Sequence, residues 1–161
     1  MRIRDVVDAD ADQVIDLVRG CYAEFEGVVF DLDAELPELR APASWAESRG
    51  GLFWVVEIDD QIVGAIALVP TGDPKVVELQ RLYVRSAIRG GGIGTRLCGL
   101  VETQALEQGA SFIELWSDTR FEAAHRLYER LGYVRGAETR DLRDKSNSTE
   151  YYYRKALQAG S

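Results

Sequence analysis

Val76-Val77-Glu78-Leu79-Gln80-Arg81-Leu82-Tyr83-Val84, followed after Arg85 to Ile88 by Arg89-Gly90-Gly91-Gly92-Ile93-Gly94-Thr95, is the stretch from which the fold can be read. The first part has the Val, Leu and Tyr content of a strand. Beyond the glycines, Ile93, Leu97, Leu100, Val101 and Ala105 recur at helical spacing until Gly109 ends the run. The strand's alternation slips once, because Val77 and Leu79 are apolar on odd positions and Leu82 and Val84 on even ones. A β-bulge between Leu79 and Leu82 would return all four to one face. A central strand buried on both faces would account for the slip equally well. Between strand and helix, glycines let the backbone come close to a ligand, and the free N–H groups of a helix N-terminus face outward, so the loop is suited to a phosphate. A P-loop would need Gly-Lys-Ser/Thr where Gly94-Thr95-Arg96 stands. A dinucleotide fingerprint would need a third glycine where Leu97 stands, and a place at the first strand of the chain.

Working outward, Ser111 to Ser117 reads as a strand, and Thr119 with Glu122 has the spacing of a capping box. That box would open a helix with Phe121, Ala124, Leu127, Tyr128 and Leu131 facing inward and Gly132 at its end. Two closing strands follow, Tyr133 to Arg140 and Glu150 to Leu157, joined by the polar stretch Asp141 to Thr149. Upstream, Gly51 to Ile58 and Gln61 to Val69 form a hairpin across Asp59-Asp60. Met1 to Arg4 is a short strand. Asp8 to Tyr22 is a helix with Asp8, Asp10 and Asp12 at its positive end and Val14, Leu17, Val18 and Cys21 on one face. Ala23 to Gly50 is irregular, with short helices around Glu35 to Arg40 and Ser44 to Ser48. The fold class is thus α/β (α+β), expected as one domain over residues 1–157 with a tail at 158–161.

The 161 residues are 46% apolar, enough for one sizeable core. A formal charge of −8 argues against nucleic acid as partner and suits cationic ligands, although it also serves solubility alone. Cys21, Cys98 and the single His125 cannot make up a metal set, so no metal and reduced thiols are expected. No apolar run approaches the roughly 18 residues of a membrane span. Met1-Arg2-Ile3-Arg4-Asp5 opens directly into charge. The expectation is a cytoplasmic protein without membrane association.

Arg89-x-x-Gly92-x-Gly94 after Leu82-Tyr83-Val84 is similar to the Q/R-x-x-G-x-G/A loop of the GCN5-related N-acetyltransferase (GNAT) family. Ala124-His125-Arg126-Leu127-Tyr128-Glu129-Arg130-Leu131-Gly132-Tyr133 resembles that family's A-x-x-L-Y-x-x-L-G-F/Y segment at the expected distance. The likeness runs from Met1 to about Leu157 and is strongest from Glu78 to Tyr133. It implies an acyl-CoA N-acyltransferase fold: a mixed, mostly antiparallel central sheet of about seven strands flanked by helices, with one parallel strand pair splayed apart. It implies acetyl transfer from acetyl-coenzyme A (acetyl-CoA) to a primary amine of a small molecule or protein, by direct attack in a ternary complex, in a possible homodimer.

Residue by residue, the resemblance places the coenzyme's pantetheine arm against the backbone of Leu82 and Val84, with Tyr83 also at the coenzyme and the Leu82 N–H toward the thioester oxygen. It places the pyrophosphate on Arg89, Gly90, Gly91, Gly92, Ile93, Gly94 and Thr95, with Arg126 nearby. Tyr128 falls on the position of the acid that protonates the leaving thiolate; packing at a helical interval is the plainer reading of the same residue. Glu78 falls where a glutamate base stands in histone-acetylating members, while other members use a chain of waters, which Gln80 would help order. Phe121 stands where many members carry a pantetheine-binding Asn, and this departure shifts weight to the strand backbone and the loop. The acceptor pocket of the family is built from the segment after the first helix and the loop between the last two strands. Here the former supplies Tyr22, Phe25, Glu26 and Phe30, among carboxylates Glu24, Asp31, Asp33, Glu35 and Glu38 that suit a cationic acceptor or simply a solvated loop. Arg140, Arg143, Asp144 and Lys145 in the latter would also allow an acceptor bearing a carboxylate. A catalytically weak acyl-CoA sensing or binding module is the alternative function.

Overall fold

In the computed structural model, which describes residues 1–158, seven strands form one sheet among the described residues. They are β1 (Arg2–Asp5), β2 (Leu52–Ile58), β3 (Gln61–Pro70), β4 (Val76–Val84), β5 (Phe112–Asp118), β6 (Val134–Asp141) and β7 (Thr149–Ala156). The helices are α1 (Ala11–Tyr22), α2 (Leu32–Glu35), α3 (Pro42–Ser48), α4 (Ile93–Glu107) and α5 (Glu122–Arg130). The strand order is β1-β2-β3-β4-β5-β7-β6, antiparallel at every junction except the parallel β4–β5 pair. The mixed sheet with one parallel pair is the architecture expected above. Of the expected tail, residues 159–161 lie outside the described residues.

Local chemistry sets most of these elements. The β2–β3 turn puts Asp59 at φ 50° and Asp60 at φ 62°, the paired left-handed geometry of a tight hairpin that Asp tolerates. Both faces of β2 and β3 are covered. Phe53, Val55, Ile62, Ala65 and Ala67 pack with Val14, Leu17 and Val18 of α1. Trp54, Val56, Ile66 and Leu68 pack with Leu97 and Val101 of α4 and Tyr128 of α5. Two local readings are corrected. Residues Asp8–Asp10 form a 3-10 turn ahead of α1, because the Asp10 carboxylate is held by Arg4 at 2.8 and 2.9 Å and by the Val7 N–H at 2.9 Å. The Thr119 capping box does not form. The Thr119 N–H is drawn to the Thr149 carbonyl at 2.9 Å, and the Asp118 carboxylate holds the next turn through the Arg120 N–H at 2.9 Å, so Phe121 becomes the residue preceding α5.

The slip in β4 is a bulge. Ala65 faces Tyr83 and Ala67 faces Gln80, so Ile66 stands opposite both Arg81 and Leu82. Arg81 adopts φ 59°, a left-handed conformation that costs a non-glycine residue about 1 kcal/mol and is held only because its surroundings fix it. On the other edge of β4, pairing with β5 runs from Val76–Phe112 to Glu78–Glu114 and stops, although both strands continue. The bulge turns β4 away while β7 keeps β5 in register as far as Asp118. The two parallel strands are splayed from Leu79 onward.

Candidate active site

Two cavities meet in the split between β4 and β5. One, of about 440 Å³, is lined by the glycine loop, by Val84 and Ile88, and by Arg126, Leu127 and Arg130 of α5. The other, of about 490 Å³, is lined by Glu78 to Arg81, Trp116 to Asp118, Tyr128, and alternate residues from Arg140 to Glu150 where the closing strands join. Leu82, Tyr83, Phe121 and Ala124 border both, so they form the junction.

The loop half is built to receive an anion. Gly90 and Gly92 have φ of 88° and 84°. Among the described residues no acceptor is present for the backbone N–H groups of Gly90, Gly91, Gly92, Ile93, Gly94 and Thr95; the first amide of the helix to be bonded is that of Arg96, to the Gly92 carbonyl at 3.0 Å. Consecutive amides that turn outward at the positive end of a 15-residue helix form a cradle for phosphate oxygens. Arg126 and Arg130 line the same cavity and form no ion pair among the described residues. Arg89 is corrected. Its guanidinium is committed to Glu24, at 2.7 Å for one of two contacts, and to the Val84 carbonyl at 2.9 Å, while its N–H donates to Ser86 at 3.3 Å. Arg89 therefore ties the loop to the end of α1, and the free amides begin at Gly90. The pyrophosphate reading thus rests on Gly90 to Thr95, with Arg130 an addition that the helical spacing from Arg126 makes legible.

In the second cavity, Tyr128 is 5% exposed and packs against Tyr133 and Tyr153, with centroids 5.7 Å away in each case. Its hydroxyl has no hydrogen-bond partner among the described residues, and the residue borders the second cavity. Burial pushes the phenol far above its ordinary value, so it remains a proton donor throughout the neutral range. Glu78, the last residue paired across β4–β5, faces the same cavity and accepts a hydrogen bond from the Gln80 amide beside it. Behind Tyr128, Cys98 is free and buried, with its thiol pushed up to about 12 by burial.

The acceptor residues expected after α1 divide. Tyr22 lines the second cavity. Phe25 does not: turns that bond Phe25 to Tyr22 and Val28 to Phe25 swing its ring onto Phe121, 4.7 Å away, on the loop side. Glu26 and Phe30 border neither cavity. Glu26 is exposed, and Phe30 packs edge-on to Tyr22 at 5.8 Å with the Arg19 guanidinium 5.1 Å above it. The acidic run is mostly paired, since Glu24 meets Arg89, Asp31 meets Lys145, Asp33 meets Arg40 and Glu38 meets Arg81. The sequence reading missed Arg81, which the bulge turns into the cavity over Trp45 at 5.6 Å, and Glu150, which pairs with Arg140 at 2.7 Å. Burial nevertheless raises the Glu150 carboxyl. The odd spacing of the slip was a signal for Arg81; nothing local signalled Glu150. Among the described residues no helix is long and apolar enough to cross a membrane, and no group of metal-ligating side chains is assembled.

The model of the acetyltransferase (GNAT) family matches residues 12–133 of the chain. N-acetylaspartate synthetase of Danio rerio is 37% identical over 99 residues, 62% of this chain and 35% of that protein. The probable N-acetyltransferase camello of Xenopus tropicalis is 34% identical over 115 residues, 71% of this chain and 52% of that one. The chain thus spans about half or less of the length of these relatives. An acetyltransferase of the GNAT family from Staphylococcus aureus Mu50 superposes with a TM-score of 0.82 at 20% identity, over 98% of this chain and 99% of that one, a likeness of fold.

Proposed function

The chain belongs to the acetyltransferase (GNAT) family, and from that premise we propose that it moves an acetyl group from acetyl-coenzyme A to the primary amine of a small molecule or protein. The observation that carries this reading is the run of unpaired amides from Gly90 to Thr95, opening on a cavity that joins a second one through the β4–β5 split. The amides, with Arg126 and Arg130, fit a diphosphate. Bound acetyl-coenzyme A supplies an acyl carbonyl activated as a thioester. The backbone of Leu82 and the Val84 N–H are offered to the pantetheine arm, with Tyr83 lining the same split, and the Leu82 N–H donates to the acyl oxygen as negative charge develops there. Glu78 takes the proton of the attacking amine, directly or through a water held by Gln80, and Tyr128 gives its phenolic proton to the departing sulfur. The base and the acid both border the second cavity, where amine and carbonyl would meet, so both proton transfers fit direct attack in a ternary complex.

The test is thiol release from acetyl-coenzyme A with a panel of primary amines, paired with mass detection of the acetylated product and calorimetric titration of coenzyme A. Turnover on at least one amine with tight coenzyme binding is the expected result. Tight binding without turnover on any amine would make the chain an acyl-CoA binding module, and absence of coenzyme binding would overturn the assignment of the loop.

A further inference from the structure

Charge on the wall of the second cavity does not cancel. Arg140 is paired with Glu150, Arg81 with Glu38 and Asp118 with Arg120. Glu35, Glu78 and Asp144 also line the wall, yet form no ion pair among the described residues. Their hydrogen-bond donors are neutral: the Lys145 N–H for Glu35 at 2.9 Å, the Gln80 amide for Glu78, and the Ser148 N–H and hydroxyl for Asp144 at 2.8 Å each. Glu78 stands at the split. Glu35 and Asp144 stand where residues 28–36 meet residues 142–148.

Those two segments close on each other. The Val29 N–H donates to the Ser146 hydroxyl at 2.7 Å, Lys145 holds Glu35 through its backbone, and the Lys145 ammonium pairs with Asp31. The seam forms one side of the cavity, with Val28, Glu35 and Leu36 from one segment and Leu142, Asp144 and Ser146 from the other in its lining. It also commits the Lys145 ammonium to Asp31, which does not line the cavity; Lys145 stays within Coulomb range of Glu35, and Arg120 of Asp144, but neither forms a direct ion pair with them.

Resting on the acetyl-transfer reading, we propose that the acceptor is a small aliphatic amine carrying a second cationic group, with its reacting amine at Glu78 and its other ammonium at Glu35 and Asp144. A carboxylate on the acceptor would have to displace Glu38 from Arg81 or Glu150 from Arg140, and it would face three unpaired carboxylates. A second ammonium meets half-buried carboxylates on the wall whose hydrogen-bond donors are neutral.

Putrescine, butylamine and γ-aminobutyrate share a reacting amine and differ in carrying an ammonium, a methyl or a carboxylate at the far end. Calorimetric titration of each into the protein, with and without coenzyme A, should give putrescine at least about tenfold tighter than butylamine and γ-aminobutyrate weakest. The KM values for thiol release should follow the same order with kcat nearly constant. Glu35→Gln, which keeps an acceptor for the Lys145 N–H, should collapse the putrescine-to-butylamine ratio to about threefold or less. Equal affinity for putrescine and butylamine, tightest binding of γ-aminobutyrate, or faster acetylation of a lysine-containing peptide than of any small amine would each overturn the proposal. If coenzyme A binds and such an acceptor turns over, acetyl transfer stands and only the diamine inference falls. If coenzyme A does not bind, both fall.

Discussion

Tyr128→Phe separates catalysis from packing because of how the phenol is held. The ring is 5% exposed and sits between Tyr133 and Tyr153, contacts that phenylalanine keeps. The hydroxyl gives up no hydrogen bond to the protein, so its removal should change folding stability by less than about 0.5 kcal/mol. Loss of a general acid costs about 10²-fold or more in turnover, equivalent to ~2.7 kcal/mol of barrier. The expected result is therefore a fall in kcat and kcat/KM together, with the Kd for coenzyme A and the Tm nearly unchanged. Stopped-flow or steady-state thiol release, calorimetry and thermal denaturation on the same preparation measure all four quantities. Unchanged kcat would remove the acid role. A fall in kcat matched by a comparable loss of stability would reduce Tyr128 to a packing residue.

Three other outcomes follow from the geometry. At Gly92, with φ 84° and open space around a Cβ, Gly92→Glu puts a carboxylate among the free amides and should weaken coenzyme A binding by about 10²-fold, whereas Gly92→Ala, bearing only the ~1 kcal/mol left-handed backbone cost, should stay within about tenfold in calorimetry. Glu78→Gln should lower kcat by about 10²-fold at neutral pH, with the deficit shrinking in the pH profile as the acceptor amine loses its proton unaided; a constant deficit at every pH would count against a base. His125 is buried, and its Nε2 lies 3.0 Å from the Asp118 carbonyl, which can only accept, so Nε2 carries a proton. Burial lowers its pKa, so the unfolded chain takes up a proton first as pH falls through about 6.5; the stabilisation is complete above that value and is lost as pH drops toward the folded value. Thermal melts should show Tm declining below about pH 6.5, and His125→Gln should flatten that part of the curve.

Much of the site was legible because its chemistry is local. A left-handed glycine pair, an apolar stripe that starts at Ile93 and a phase slip between Leu79 and Leu82 are all written within twenty or so neighbouring residues; backbone sterics convert the first two into an open loop and a helix, while the slip allowed a bulge that the fold then formed. Tyr128's inward place on its helix was legible from spacing, whereas its role as acid came from the family resemblance alone. The acceptor half was not. The choice among Tyr22, Phe25, Glu26 and Phe30 turned on how one irregular segment turned after α1, and a carboxylate-rich run reads identically whether its charges are free or paired.

Sequence by itself determined the order and faces of most elements and the glycine loop before α4, since side-chain periodicity and glycine stereochemistry act between residues close along the chain. Only the tertiary structure decided which cation meets which carboxylate. Glu24 and Arg89, Glu38 and Arg81, and Asp31 and Lys145 lie 65, 43 and 114 residues apart. They meet because the chain folds as one sheet, with β7 inserted between β5 and β6, and because Coulomb attraction depends on distance in space and on burial, neither of which is encoded at any one position.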